Sequence, residues 1–446
     1  MNRANLAFLM FLVGLGSFTK VVLVGSIAIT ELVFFAILPY ILLKDFSKLK
    51  HDGFLPVLTL LVLTMMGSAL ATYVNGAPIF RSIKVMAQYF SLFTVIVCMH
   101  RLLLRDPSSL KWFLLGAFFS GLITIFAFNA SVQVSGSGNI GVEKQSVDDV
   151  LNGAMFWMFH LQNLLNATVG GFYYALPYLV SVCAPILAIV IVALTGVSGR
   201  AMSLCLVAAF GLFAYCGKSV RKMKVITKHF MILALAGIMT LIIFKTIYSN
   251  LAKSGVLGVE AQGKYLSQTR SGDSILRLLM SGRVEFFIGM RAALDKPIIG
   301  YGIYPRDTKG YIQEYYAKYG DELDMMLYLQ SLVRNGVYVE QTIPTHSYMA
   351  GSWVFCGIFG LLLWLYVLYL CYMFFKKWIV AIPLWFGYFA LGVPMLVWDI
   401  FFSPITNRVS PAVMITALLL AKGVYERRIV LQFRLNDIKR VDSANV

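Results

Sequence analysis

Long apolar runs, broken by short polar clusters, cover most of the 446-residue chain. A helix that crosses a bilayer needs ~20 consecutive apolar residues. By that measure the runs near 5–18, 22–43, 54–73, 82–99 and 110–128 predict five spans, the first of them short and leaning on a neighbour. Residues 150–199 contain no Asp, Glu, Lys or Arg at all. Fifty such positions exceed one span and suffice for two, separated by a turn at Val169-Gly170-Gly171. Further runs near 201–216, 230–248, 353–375, 378–398 and 409–425 bring the expected number to twelve.

The polar clusters between the runs give an orientation. With an even number of alternating spans both termini share one face. The basic groups Lys44/Lys48/Lys50, Arg101/Arg105/Lys111, Lys218/Arg221/Lys222/Lys224/Lys228, Lys376/Lys377 and Arg427/Arg428 then all fall on the cytoplasmic side, as the positive-inside bias requires. The opposite face receives 129–149 and one long segment, 249–352. That segment carries 21 charges, eleven basic and ten acidic, and its 311–333 stretch predicts an amphipathic helix interrupted at Gly320. A connector has no need of a hundred residues, so chemistry is expected there. The resulting division is 1–248 with about nine spans, 249–352 as a periplasmic loop subdomain, and 353–446 with three spans and a cytoplasmic tail. The fold class is an all-α polytopic membrane protein of about 12 helices.

Composition agrees: 59% of residues are hydrophobic and 13% charged, against about a quarter charged in soluble domains. The net charge of +17 could point to nucleic acid. The cytoplasmic loops and tails account for fourteen of those charges, however, so the basicity is topology and no nucleic-acid partner is expected. The six cysteines lie in apolar stretches without metal-ligand spacing and read as small core residues. No cleavable signal follows the apolar start of the chain.

Few residues are placed for chemistry. His51, His100 and His229 lie in or beside basic cytoplasmic loops, and His160 falls within a span. His346, in Ile343-Pro344-Thr345-His346-Ser347-Tyr348, stands before an apolar run on the far face, where an imidazole suits a general base near neutral pH. Arg200 opens a span at the same face, and Arg283 lies in Ser281-Gly282-Arg283, ahead of Lys296-Pro297-Ile298-Ile299-Gly300-Tyr301-Gly302. Arginine clamps phosphate by its planar fork. Arg81 and Lys84 share a helix face at a span entrance and offer a secondary anionic site or a lipid anchor. Asp399 and Arg408 are expected to form a structural ion pair. No metal-binding spacing occurs, and Gly300-Tyr301-Gly302 lacks the third glycine of a dinucleotide fingerprint.

Taken in order, Ser198-Gly199-Arg200-Ala201, Ser281-Gly282-Arg283 with Pro297-Ile298-Ile299-Gly300-Tyr301-Gly302, and His346-Ser347-Tyr348 before Gly357-Ile358-Phe359-Gly360 resemble the bacterial O-antigen ligase and Wzy O-antigen polymerase family, over residues 200 to 370. Family members typically carry Ser-x-Ser-Arg-Gly at the first site and His-Asn at the last. This chain has Val197-Ser198-Gly199-Arg200-Ala201 and His346-Ser347. The resemblance implies a GT-C-like membrane glycosyltransferase of the bacterial inner membrane, inverting and metal-independent, without cofactor. Its donor is a glycan on undecaprenyl pyrophosphate and its site faces the periplasm. His346 would be the base, and Arg200 and Arg283 the pyrophosphate clamp. The acceptor is a lipid-linked repeat unit for a polymerase or lipid A-core for a ligase, and a chain-length regulator is an implied partner. A transporter or flippase of lipid-linked sugars is the reading from another class.

Overall fold

In the computed structural model of the protein, residues 2–17, 20–22, 26–51, 54–77, 79–126, 246, 249–250, 253–255, 284–303, 305–319, 342–345, 347–378, 385–403 and 408–444 are described. The helices are α1 (Arg3–Leu15), α2 (Ile29–His51), α3 (Leu55–Val74), α4 (Ile79–Arg105), α5 (Leu110–Phe126), α6 (Val284–Asp295), α7 (Tyr311–Tyr319), α8 (Tyr348–Cys356), α9 (Ile358–Lys376), α10 (Phe386–Phe402) and α11 (Val409–Ala444). One short antiparallel hairpin, β1 (Lys20–Val22) with β2 (Ser26–Ala28), occupies the start of the expected second span. The architecture is therefore mostly helical, not strictly all-α.

Among the described residues four helices are long and apolar enough to cross a membrane: Leu55–Val74, Val85–Arg105 within α4, Ile358–Lys376, and Val409–Arg427 within α11. Their burial separates them into two pairs. The α4 and α11 windows are 72% and 67% buried, those of α3 and α9 only 44% and 39%, so the first pair is central and the second carries the outer, apolar-exposed surface. Thr416 Oγ1 reaches the Ile96 carbonyl where the central pair meets. The spans expected within 150–199, 201–216 and 230–248 lie outside the described residues, as does the 129–149 loop.

Three details depart from expectation. The single span expected at 353–375 is two helices, α8 and α9, broken at Gly357, whose φ is 63°. A left-handed backbone is open to glycine at little cost, and here a Cβ would also run into the Ile298 carbonyl. The short α1 leans on α5, not on its sequence neighbour. Gly14 meets the Phe113 carbonyl, and Phe11 meets Gly116 and Phe119, so the pair runs antiparallel along its contact. Strict alternation of the predicted spans gives these two helices the same direction. Finally, Arg408 does not take Asp399 as its partner. Its guanidinium reaches across to Glu31 at the start of α2, Nε to Oε1 at 2.7 Å and Nη2 to Oε2 at 3.0 Å.

Candidate functional site

The three leading candidates, Arg200, Arg283 and His346, lie outside the described residues, as does His160. Of Arg81 and Lys84 the backbone is described, in the first two turns of α4. The residues that flank the candidates show which segments meet.

The helix that begins immediately after Arg283, α6, packs on the segment leading to His346. Gly289 sits against the Pro344 carbonyl and Ala350, so close that a Cβ there would lie 3.1 Å from the oxygen. Farther along, the Trp353 indole donates to the Pro297 carbonyl at 2.8 Å, and Tyr301 N donates to Val354 O at 2.7 Å. Ile343 N donates to Pro305 O, and Arg306 and Thr342 form an isolated antiparallel bridge. Two of the three motifs noted in the sequence, more than 40 residues apart along the chain, thus form one layer.

Ser347 fixes the start of α8. It is the helix N-cap: its Oγ accepts from Ala350 N at 3.0 Å and donates to the Ile400 carbonyl of α10 at 2.9 Å. An N-cap serine satisfies a backbone donor that the first helical turn leaves free. Here the same hydroxyl also clips the turn onto the end of α10. The first turn of α6 reaches the same place, where Phe286 packs edge-on against Phe401 and Phe402, centroids 6.1 and 5.5 Å away. Phe286, three residues after Arg283, Ser347, next to His346, and Ile400, next to Asp399, therefore converge at one end of the bundle.

Asp399 is the group that sequence reasoning assigned to the wrong role. It is partly buried, is hydrogen-bonded by Ser403, and lies within electrostatic reach of Tyr348. It also lines a small cleft between α10 and α11, with Tyr388, Met395, Ser410 and Met414 among the other walls. A carboxylate in apolar surroundings is costly without a partner. The sequence did hold a signal. Glu31 is an isolated acid in an apolar run that itself needs a cation, and once Arg408 is given to Glu31, Asp399 becomes available for another task.

Beside this site the loop segment carries a second polar knot. Asp295, at the end of α6, accepts from Tyr311 Oη at 2.7 Å, from Lys309 at 2.9 Å and from Arg291 at 2.6 Å. These three hold its carboxyl well below the usual carboxylate range, the tyrosine hydroxyl most of all. The Tyr311 hydroxyl is pushed up, first by burial and then by its bonds to Tyr301 and Asp295. The knot ties α6 to α7. Among the described residues no three His, Cys, Asp or Glu side chains come together as a metal site.

Among the described residues, the convergence brings Ser347, Ile400 beside Asp399 and the first turn of α6 together at one end of the bundle. Against known protein families, curated proteins and solved structures, the chain matches none.

Proposed function

We propose that the chain is an inverting, metal-independent membrane glycosyltransferase of the O-antigen polymerase type. In this reading the chain crosses the bacterial inner membrane many times, and the site opens to the periplasm. The enzyme moves a polysaccharide from undecaprenyl pyrophosphate to a lipid-linked repeat unit. One observation carries the reading beyond motif order: α6, which follows Arg283, and the turn that flanks His346 pack on each other and both meet the end of α10.

The chemistry follows from the residue types. The acceptor hydroxyl oxygen attacks the anomeric carbon from the face opposite the leaving group. The new C–O bond forms as the bond to pyrophosphate breaks, and the electron pair leaves with the phosphate oxygen. His346 takes the hydroxyl proton. Asp399, one residue from the Ser347 contact on Ile400, offers the negative charge that stabilises and orients an imidazolium. Arg200 and Arg283 stabilise the departing pyrophosphate by charge and paired donors, while Arg81 and Lys84 offer a secondary site for the anionic donor.

The test supplies purified protein in lipid with an undecaprenyl-pyrophosphate glycan and, separately, a lipid-linked repeat unit or lipid A-core. Release of undecaprenyl pyrophosphate with extension of the repeat unit is expected; extension of lipid A-core instead makes the chain a ligase. Movement of the donor across the bilayer without release would mark a transporter. His346→Ala should lower turnover by about 10²–10⁴-fold, the range of general-base catalysis, and Asp399→Asn should shift the pH profile of the remaining activity. Full turnover by His346→Ala would remove the proposed base.

A further inference from the structure

The segment Lys296–Gly302 presents a feature that glycosyl transfer leaves unexplained. Ile298 is 71% exposed, and Ile299 and Pro297 beside it are also exposed. Large apolar side chains on a water-facing loop are ordinarily scattered, and a local cluster marks a surface with a partner.

The position of this cluster identifies the partner. The Ile298 carbonyl accepts from Ile358 N at 3.0 Å and lies directly against Gly357, so it fills the break between α8 and α9. That break is itself packed on α3: a Cβ on Gly67 would lie 2.6 Å from the Cys356 carbonyl, and Thr64 Oγ1 reaches Phe359 O. Gly67 is seven residues short of the end of α3, roughly 10 Å at 1.5 Å per residue. The loop backbone at Ile298 is therefore level with the interior of one candidate span and with the first residue of another. Above it, Asn75 Nδ2 donates to Gly300 O at 3.1 Å and Lys296 Nζ donates to Asn75 Oδ1, holding the ammonium at the helix end while the isoleucines lie below. The spans flanking the loop carry the outer apolar surface of the bundle. Met66, Leu70 and Tyr73 are exposed on one face of α3, and Leu362, Leu365 and Tyr369 on one face of α9.

We infer that Pro297-Ile298-Ile299 is a wedge that enters the bilayer leaflet at this end of the bundle, with Ile298 among phospholipid acyl chains and Lys296 at headgroup level. The cluster is held against two candidate spans that each carry an exposed apolar stripe, which is what favours lipid over a protein partner. Irregular backbone at membrane depth is tolerated when its polar groups are met by protein. The Ile298 and Gly300 carbonyls meet that condition through Ile358 N and Asn75. Lysine placed at the rim with apolar neighbours below is the arrangement of an interfacial anchor.

A photoreactive benzophenone amino acid at position 298 tests this in full-length protein reconstituted in phospholipid vesicles, with position 317 on the exposed polar face of α7 as the reference. Illumination is expected to give phospholipid adducts at 298 at least fivefold more often than at 317, read by mass spectrometry of the peptides. Equal lipid adducts at the two positions, a cross-linked dimer through 298, or cross-links from 298 only to its own chain would overturn the inference. Should that variant fail to accumulate, Ile298→Cys and Ala317→Cys are compared for reaction with a charged, membrane-impermeant thiol reagent, over the background of the parent protein. At least tenfold slower labelling at 298 supports the wedge, and equal rates reject it. Neither readout depends on turnover, so the wedge and the transferase reading stand or fall separately.

Discussion

Replacing Glu31 by Gln should cost more than any surface substitution in this protein, and the size of the loss follows from the geometry. The carboxylate is 1% exposed, and its partner Arg408 is 12% exposed. Two guanidinium bonds, at 2.7 and 3.0 Å, are joined by Ala28 N at 2.6 Å and by the Ser91 hydroxyl. Glutamine keeps the shape and can still bond Ala28 and Ser91, but it removes the negative charge that the guanidinium pairs with in this buried site. Breaking a buried pair from one side costs about 3–5 kcal/mol. Arg408→Met should cost a similar amount by stranding the carboxylate. In the double variant neither charge is left alone, so its loss should fall short of the sum of the single losses by roughly 2 kcal/mol or more. Equilibrium unfolding of the purified variants in mixed micelles measures all three. A second cycle, Asp399→Asn with Arg408→Met, separates the two possible partners of the arginine: its coupling should stay under about 0.5 kcal/mol. The reasoning fails if Glu31→Gln costs less than about 1 kcal/mol with additive losses, or if the coupling appears in the Asp399 cycle instead.

Two further outcomes follow from the break at Gly357 and from the Asp295 knot. Gly357→Ala should lower thermal stability in detergent by at least the ~1–3 kcal/mol of a strained left-handed residue, because its Cβ would also displace the Ile298 carbonyl; an unchanged melting temperature would mean that α8 and α9 do not break there. The Asp295 knot predicts an acid limit. A carboxyl whose folded pKa is depressed stabilises the fold above its unfolded value, ~3.9, and that contribution disappears as pH falls from there through the lower folded value. Pepsin should therefore cut the α6–α7 region much faster near pH 2 than at pH 5, and Asp295→Asn should flatten that dependence. Salt should weaken the effect, because Arg291 and Lys309 are exposed.

The helices that sequence made legible are those with a long apolar run and nothing to interrupt it. The run at 54–73 became Leu55–Val74, and that at 409–425 begins where α11 begins. Gly357 hid the break at 353–375, because a glycine inside an apolar run carries no mark of the sign of its φ. The hairpin at Lys20–Ala28 was concealed for a related reason: Val21, Val22, Ile27 and Ala28 are as apolar in a strand as in a span. The candidate site was legible as motifs, and the packing of α6 on Pro344 joins two of them in space. Asp399 was not, because charge pairing across the bundle depends on which helices are neighbours. Arg408 is nine residues from Asp399 along the chain and 377 from Glu31, yet it bonds the latter.

The length of α11 has a mechanical meaning. Its 36 residues run without a break from Val409, beside the Glu31–Arg408 pair, to Ala444, about 54 Å at 1.5 Å per residue against a hydrocarbon thickness of ~30 Å. Pro394 lies inside α10, and Gly357 divides α8 from α9; α11 keeps one helical course through Pro411 in its first turn and Gly423 farther on. It is thus one continuous helix, with the basic residues of the tail toward one end and Ser410 and Met414 of the Asp399 cleft at the other. Whatever engages the basic end is therefore joined to the cleft by a single helix.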